Sequence, residues 1–400
     1  MRHRLLVFVL LATVAAVLAL IVLRGLGEAP SANSYALLAD AFLHGHYDFR
    51  GCFDQHCVAA GGLNYLAAPP FPAVLAMPFV IKSGSGFSGF VLLSILLAGL
   101  ALLVWHRIFV RLGIEPRLRL WLLVALGAAS PLAETVARGD RLALFAAVAG
   151  FLMASLAIGE AIAGRLMTAG FALGLAFLCR PTALFLLPFV GALTLTTKAR
   201  VLPPSPETLT KFGAIAIGAA VPVLFLLFYD WMRFGAPFET GQATAALSAA
   251  ATPGDIVAAE RIKAFGAYSL AVVPANLAAM AVQGFSLVFD PPRMVRLVGL
   301  DPAGASFLAK CPWLLFLFFA PRDRTVAFAA LAVLPMLGLF AISSDLPRYG
   351  LGRPLIDLLP VLAVYLAVAV RPEQIVMFRL LLLVGVSLQM LTIAVMMKTG

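Results

Sequence analysis

The chain has 400 residues, 62% of them hydrophobic and 12% charged, with a mean hydropathy of +1.01. No soluble core hides that much apolar surface, whereas lipid solvates it, so the composition excludes a water-soluble enzyme and specifies a polytopic membrane protein. The net charge of +10 does not imply nucleic acid: the basic residues sit in short loops beside apolar runs, as orientation signals and lipid-phosphate contacts do, and no basic aromatic module is present.

The first apolar run, Leu5–Leu23, follows Met-Arg-His-Arg and is long enough to cross the hydrocarbon core. The stretch Arg24–Pro30 after it makes a poor cleavage site, so the run reads as a retained first span rather than a signal peptide. Further spans are expected at about 87–105, 118–133, 141–160, 166–179, 181–197, 212–229, 304–320, 326–342, 354–370 and 376–396, about eleven in all. Pro70–Ile81 is short and carries Pro70, Pro72 and Pro78, so it reads as re-entrant or interfacial. The chain is expected to be one integral membrane domain, 1–400, with no internal repeat of the kind that marks inverted-repeat transporters.

Positive-inside bookkeeping selects the topology. With Pro70–Ile81 not crossing, Arg2, Arg4, Arg107, Arg111, Arg117, Arg119, Arg165, Lys198, Arg200, Lys211, Arg322, Arg324 and Arg371 all fall on the cytoplasmic side. The N-terminus is then inside and the C-terminus outside. Three regions face outward: a first periplasmic loop over 25–86, the turn Glu134–Asp140, and a long periplasmic segment over 230–303. The Arg180-Pro181 junction and Ser343–Arg353 face the same way. Spans 166–179 and 181–197 meet at Arg180 as broken helices, which are tolerated where backbone lines a cavity instead of lipid. Ala264–Phe285 is apolar but carries Pro274, Asn276 and Gln283, so it is expected to pack on the outer leaflet.

The outer side collects the chemistry. Asp140, flanked by Arg138 and Arg141 just before Leu142–Ile158, is a charge at the lip of a span and so a functional candidate. Other outward acids include Glu28, Asp40, Asp54, Glu134, Asp230, Glu239, Asp345 and Asp357; outward arginines include Arg180, Arg233, Arg348 and Arg353. The planar fork of arginine suits phosphate oxygens, and its charge survives poor hydration. Helix-end anchoring and internal ion pairing are the competing reading for each. Arg353 and Asp357 are four apart at the head of a span and share a helix face, which favours a structural pair. Arg348 and Tyr349 stand just outside it, freer to meet a ligand. In Cys52-Phe-Asp-Gln-His-Cys57 an oxidising compartment favours a Cys52–Cys57 disulfide; a metal held by these cysteines, His56 and His44 or His46 is the looser alternative. Cys179 and Cys311 read as buried thiols.

Several segments together resemble the GT-C superfamily of polyprenyl-phosphate-sugar glycosyltransferases, in its dolichyl-phosphate-mannose-protein mannosyltransferase and aminoarabinose transferase branch. Ser34–Gly45 resembles the amphipathic helix opening the family's first periplasmic loop. Asn64-Tyr65-Leu-Ala-Ala-Pro69-Pro70 resembles its tyrosine and Pro-Pro segment, and Ala137-Arg-Gly-Asp140 its second-loop aspartate. Cys179–Thr182, Tyr229–Gly241 and Tyr349–Pro360 are similar to segments of uncharacterised bacterial members. The departure is in the first loop, where Ser31-Ala32 occupy the place of the usual acidic pair and Ala68 replaces a lysine. The resemblance implies an all-α, GT-C-like bundle in the bacterial inner membrane, moving a sugar from a polyprenyl phosphate to a periplasmic lipid, glycan or protein acceptor. In that reading Asp40 or Asp54 is the base and Asp140 orients the acceptor or a divalent cation, which is optional. Arg138, Arg180, Arg348 and Arg353 hold the phosphate, with Asp230, Glu239, Tyr349 and Asp357 in support. A non-catalytic lipid-sugar binding protein on the same scaffold, favoured by the missing acid, is the alternative; a secondary transporter is the third.

Overall fold

Apolar runs dictate helices here because a backbone surrounded by lipid must satisfy its own hydrogen bonds. The computed structural model describes residues 2–28, 33–49, 56–195, 205–241, 253–284, 286–289, 297–301, 305–321, 324–346 and 352–399. In chain order the first half comprises α1 (Arg2–Leu26), α2 (Ser34–Leu43), β1 (Cys57–Ala60), β2 (Leu63–Leu66), α3 (Phe71–Ser83), α4 (Phe90–Arg111), α5 (Pro116–Gly127), α6 (Pro131–Ala137), α7 (Leu142–Ile162) and α8 (Leu166–Phe177). The second half comprises α9 (Leu187–Ala192), α10 (Pro206–Phe234), α11 (Pro253–Phe265), α12 (Val273–Val282), β3 (Ser286–Phe289), β4 (Leu297–Asp301), α13 (Phe307–Lys310), α14 (Arg324–Ile342), α15 (Gly352–Ala369) and α16 (Ile375–Thr399).

Among the described residues six helices are long and apolar enough to cross a membrane: α1, α4, α7, α10, α14 and the stretch Pro372–Val395 containing most of α16. The expected span at 118–133 is the bent pair α5 and α6, which meet at 51°. The break falls at Ser130-Pro131, where Ser130 is extended and its hydroxyl caps α6 by accepting from Leu132 N. The expected breakage at Arg180 is present: α8 stops at Phe177, and a 3-10 turn over Pro181–Leu186 leads into α9. The expected span at 304–320 is short α13 followed by a 3-10 segment, Pro312–Phe319. Pro70–Ile81 appears as the 13-residue α3, which at about 1.5 Å per residue is too short to span.

The bundle is built around α7. Buried residues make up 94% of its apolar window, against 17% for α1. Ala143, Ala146, Ala147, Gly150, Ala154 and Ala157 of α7 are small, so neighbouring helices approach closely. The seam between α8 and α10 uses the same device. A Cβ on Gly170 of α8 would strike the carbonyl oxygen of Ile215, and one on Gly218 of α10 would strike that of Met167. These two glycines allow direct backbone contact that no larger residue permits.

Two antiparallel ribbons were not anticipated. β1 pairs with β2 in the register Cys57–Leu66 to Ala60–Leu63, and β3 with β4. The first is a two-residue hairpin whose Gly61 and Gly62 take φ of 59° and 80°, the left-handed conformation such turns need. Gly61-Gly62 was the available signal, but strands of four residues carry almost no periodicity of their own.

Candidate functional site

One end of the bundle gathers the C-termini of α1, α8, α10 and α14 with the N-termini of α2, α4, α7 and α15. A cavity of about 490 Å³ opens there. Its walls come from Tyr35 of α2, Ala67–Pro69 after β2, Leu142, Ala143 and Ala146 of α7, and Cys179–Thr182 at the helix break. His56, Phe238–Thr240, Ile262, Ala267-Tyr268, the residues Leu339, Phe340, Ser343, Asp345 and Leu346 around the end of α14, and Arg353-Pro354 complete the described lining. Segments expected from sequence to face one side therefore meet at one site.

Arg180 and Arg353 both line the cavity. Arg180 is nearly buried, donating from Nε to Asp357 Oδ1 at 2.6 Å and from a terminal nitrogen to Oδ2 at 2.5 Å. Thr182 Oγ1 donates to the same Oδ2 at 2.8 Å. The i,i+4 spacing pointed to Arg353 as the partner of Asp357, but the carboxylate reaches across the bundle to Arg180. Arg180 thus carries a compensated charge, and Arg353 is the other described arginine in the cavity lining.

Among the described residues two carboxylates line the cavity, Glu239 and Asp345. Glu239 follows α10 and accepts from Gly241 N at 2.8 Å. Asp345 sits on the turn after α14, and its N–H donates to Ser343 Oγ at 3.3 Å. That turn is firmly held. Asn276 of α12, itself buried, donates to the carbonyls of Ala341 and Ser343 at 2.9 Å each and accepts from Arg261 at 3.0 Å. Ser344 Oγ donates to Gly266 O at 2.7 Å, and Ser269 N to Ile342 O at 2.8 Å. These bonds satisfy carbonyls that the end of α14 would otherwise leave without partners. Asp345 stood among the outward acids in sequence, but nothing there distinguished it.

Two of the acids expected to act, Asp140 and Asp40, are elsewhere. Asp140 does not line the cavity. Its carboxylate pairs with Arg24 at 3.1 Å, and its backbone carbonyl accepts from Asn33 Nδ2 at 2.7 Å. Nearby, Glu28 accepts from Phe90 N and Val91 N at 3.2 and 2.9 Å, capping α4 from outside that helix. Burial nevertheless dominates, raising the Glu28 pKa above its ordinary 4.5. Asp40 lies on the outer face of α2, paired with His44 at 3.9 Å and outside the cavity.

Arg138, expected to hold the phosphate, does not line the cavity. It pairs with Glu134 at 3.6 Å, and Glu134 accepts from the buried Lys310 at 2.6 Å. Asp230 is buried against Arg233, which also donates to Leu66 O and stacks 3.9 Å from the Tyr229 ring centroid. This cluster fastens α10 to β2 instead of facing a ligand. Cys57 is a buried free thiol 3.9 Å from Ser34 Oγ, turned toward α2. Cys52, Asp54, Arg348 and Tyr349 lie outside the described residues, as do Ser31 and Ala32. No group of three His, Cys, Asp or Glu side chains able to hold a metal occurs among the described residues.

No family model matches the chain, and no curated protein matches it. Among solved structures it is similar to ArnT from Cupriavidus metallidurans bound to undecaprenyl phosphate, with a TM-score of 0.51 at 17% identity. The alignment covers 92% of this chain and 61% of ArnT. The fold is thus an all-helical polytopic membrane bundle like that of ArnT. The chain spans about 61% of the length of ArnT.

Proposed function

We propose that this chain is a glycosyltransferase of the bacterial inner membrane. It takes a sugar from a polyprenyl-phosphate donor at the periplasmic face and passes it to a lipid, glycan or protein acceptor. One observation supports this most: a single cavity at one end of a GT-C-like bundle presents both Arg353 and the carboxylates Glu239 and Asp345. An arginine suits a phosphate leaving group, and a carboxylate suits an acceptor hydroxyl.

In the inverting mechanism that follows, a carboxylate takes the proton of the acceptor hydroxyl as its oxygen attacks the sugar's anomeric carbon. The bond from that carbon to the phosphate oxygen breaks, and the electron pair leaves with the phosphate, which Arg353 stabilises. Asp345 suits the base because its turn is pinned by Asn276 and Ser344; a pre-set base loses little to reorganisation. Asp140 and Asn33 act as positioning residues, clamping the start of α2 against the head of α7. A divalent cation stays optional, with no step of this mechanism depending on it.

The test uses purified protein in lipid nanodiscs with a panel of undecaprenyl-phosphate-linked sugars and measures release of undecaprenyl phosphate. Release that requires a periplasmic-type acceptor is the expected result. Binding of the lipid phosphate with no release from any donor supports instead the non-catalytic reading, which the Ser31-Ala32 departure in the first loop favours.

A further inference from the structure

The end of the bundle opposite the cavity holds a second concentration of charge. α4 and α15 both run away from the cavity, so α5 and α16 begin at that far end, which the loop charges assign to the cytoplasm. There the guanidinium of Arg379, on α16, lies over the ring of Trp121 of α5, 4.7 Å from its centroid. The charge that bears on Arg379 is that of Arg117, a second cation. Among the described residues no carboxylate pairs with either arginine, and Arg379 Nε is buried without a hydrogen-bond partner. Glu115 and Glu373, the acids nearest them in the chain, are both exposed. Two like charges held together without an acid repel each other, and a donor withdrawn from water without an acceptor costs free energy. We propose that Arg117 and Arg379 form a binding site for the phosphate of an anionic phospholipid, with Trp121 as its floor.

Helical spacing gives the site its shape. Arg117 and Trp121 are four apart on α5 and share a face, so Arg379, reaching Trp121 from the neighbouring helix, arrives on the side where Arg117 stands. Trp121 is buried and therefore fixed. A guanidinium placed over an aromatic face keeps donors free for phosphate oxygens, which an ammonium in the same place does less well. Glu115, at the head of α5, supplies no side-chain cap, so the positive end of that helix adds to the two cations.

The flanks select a lipid over free phosphate. Leu120 is exposed on the arginine face of α5, and Met377, Leu380 and Val384 form an exposed stripe on α16 beside Arg379. Acyl chains cover such a surface, and a phospholipid brings chains and phosphate together. Both arginines stand within the first two turns of their helices, the depth at which headgroups lie. The choline of a zwitterionic lipid would bring a third cation to the site. A lipid with net negative charge instead relieves the repulsion between the two arginines.

The experiment compares wild type, Arg117→Gln, Arg379→Gln and Arg107→Gln in detergent. Native mass spectrometry gives the affinity of each for phosphatidylglycerol and for phosphatidylcholine, with inorganic phosphate as competitor. Arg107, exposed near the end of α4, is the control, since its loss removes the same charge from the same end of the bundle. Wild type is expected to prefer phosphatidylglycerol. Arg117→Gln and Arg379→Gln should each weaken its binding by about five-fold or more and leave phosphatidylcholine unchanged, while Arg107→Gln changes neither. Taking the ratio of two lipids in one sample keeps the comparison valid for a variant that folds less well. Equal affinities for the two lipids in wild type, or an equal fall in all three variants, overturn the site, the latter by showing only a general attraction to a basic face. Displacement of phosphatidylglycerol by inorganic phosphate at similar concentration overturns the lipid assignment, because the site then takes free phosphate. None of these outcomes bears on the transferase reading, which concerns the other end of the bundle.

Discussion

Arg180 and Asp357 lie 177 residues apart in sequence and share two hydrogen bonds, at 2.6 and 2.5 Å. The pair joins the α8–α9 break to the head of α15, with Thr182 as a third member. Side-chain exposures of 7% and 6% make it a buried ion pair, whose partners depend on each other. Asp357→Asn or Arg180→Gln should each cost about 3–5 kcal/mol of stability, because each strands the remaining charge. Replacing both with leucine should recover most of that loss. Unfolding midpoints of the three variants in one detergent check this, and an additive double variant would refute the coupling.

The carboxylates inside and outside the cavity should separate in activity. Asp345→Asn is expected to lower sugar transfer by about a hundred-fold or more, as loss of a general base does, with lipid-phosphate binding retained. Asp40→Asn should transfer at the wild-type rate, since Asp40 is paired with His44 outside the cavity. Asp140→Asn should cost under about 1 kcal/mol of stability, the worth of a partly exposed pair, because its backbone contact with Asn33 persists. Transfer rates and binding measured side by side decide the assignment, and a greater loss in Asp140→Asn than in Asp345→Asn would reverse it.

Glu28 should make stability depend on pH. Its folded pKa is raised above 4.5 by burial, so the fold favours the protonated form. The resulting stabilisation is complete below 4.5 and is lost as pH rises through the raised value. Wild type should therefore lose stability relative to Glu28→Gln as pH climbs from 4.5 toward neutral. Glutamine keeps an acceptor for Phe90 N or Val91 N without a titrating group. Parallel pH profiles of the two thermal midpoints would contradict the expectation.

The seam between α8 and α10 should resist even one methyl group. A Cβ at Gly170 or Gly218 meets backbone carbonyl oxygen of the facing helix, which cannot rotate away as a side chain can. Gly170→Ala and Gly218→Ala are each expected to cost about 1–3 kcal/mol, the usual range for overpacking. By contrast, Gly213 of α10 has open space around it, so Gly213→Ala should be neutral or slightly stabilising. The three thermal midpoints make the comparison.

Sequence by itself determined the membrane class, the helical architecture, most helix positions and the convergence of Arg180, Glu239, Asp345 and Arg353 at one end. Those follow from runs of apolar residues and from loop charges, which are local quantities. The break at Arg180-Pro181 was legible for the same reason. What only the tertiary structure decided is which polar groups face one another. Asp140 looked like the site because a charge beside a span is conspicuous, yet Arg24 takes it up and the cavity lies elsewhere. Asp357 passed for the neighbour of Arg353 because helical spacing reports contacts within a helix and none between helices. Tyr35 stood out in sequence only as the tyrosine that sets the register of the first-loop resemblance, four positions after Ser31. That its buried hydroxyl meets no partner among the described residues emerged only from the packing. Ion pairing and burial are set by segments more than a hundred residues apart, and hydropathy along the chain holds no record of those distances.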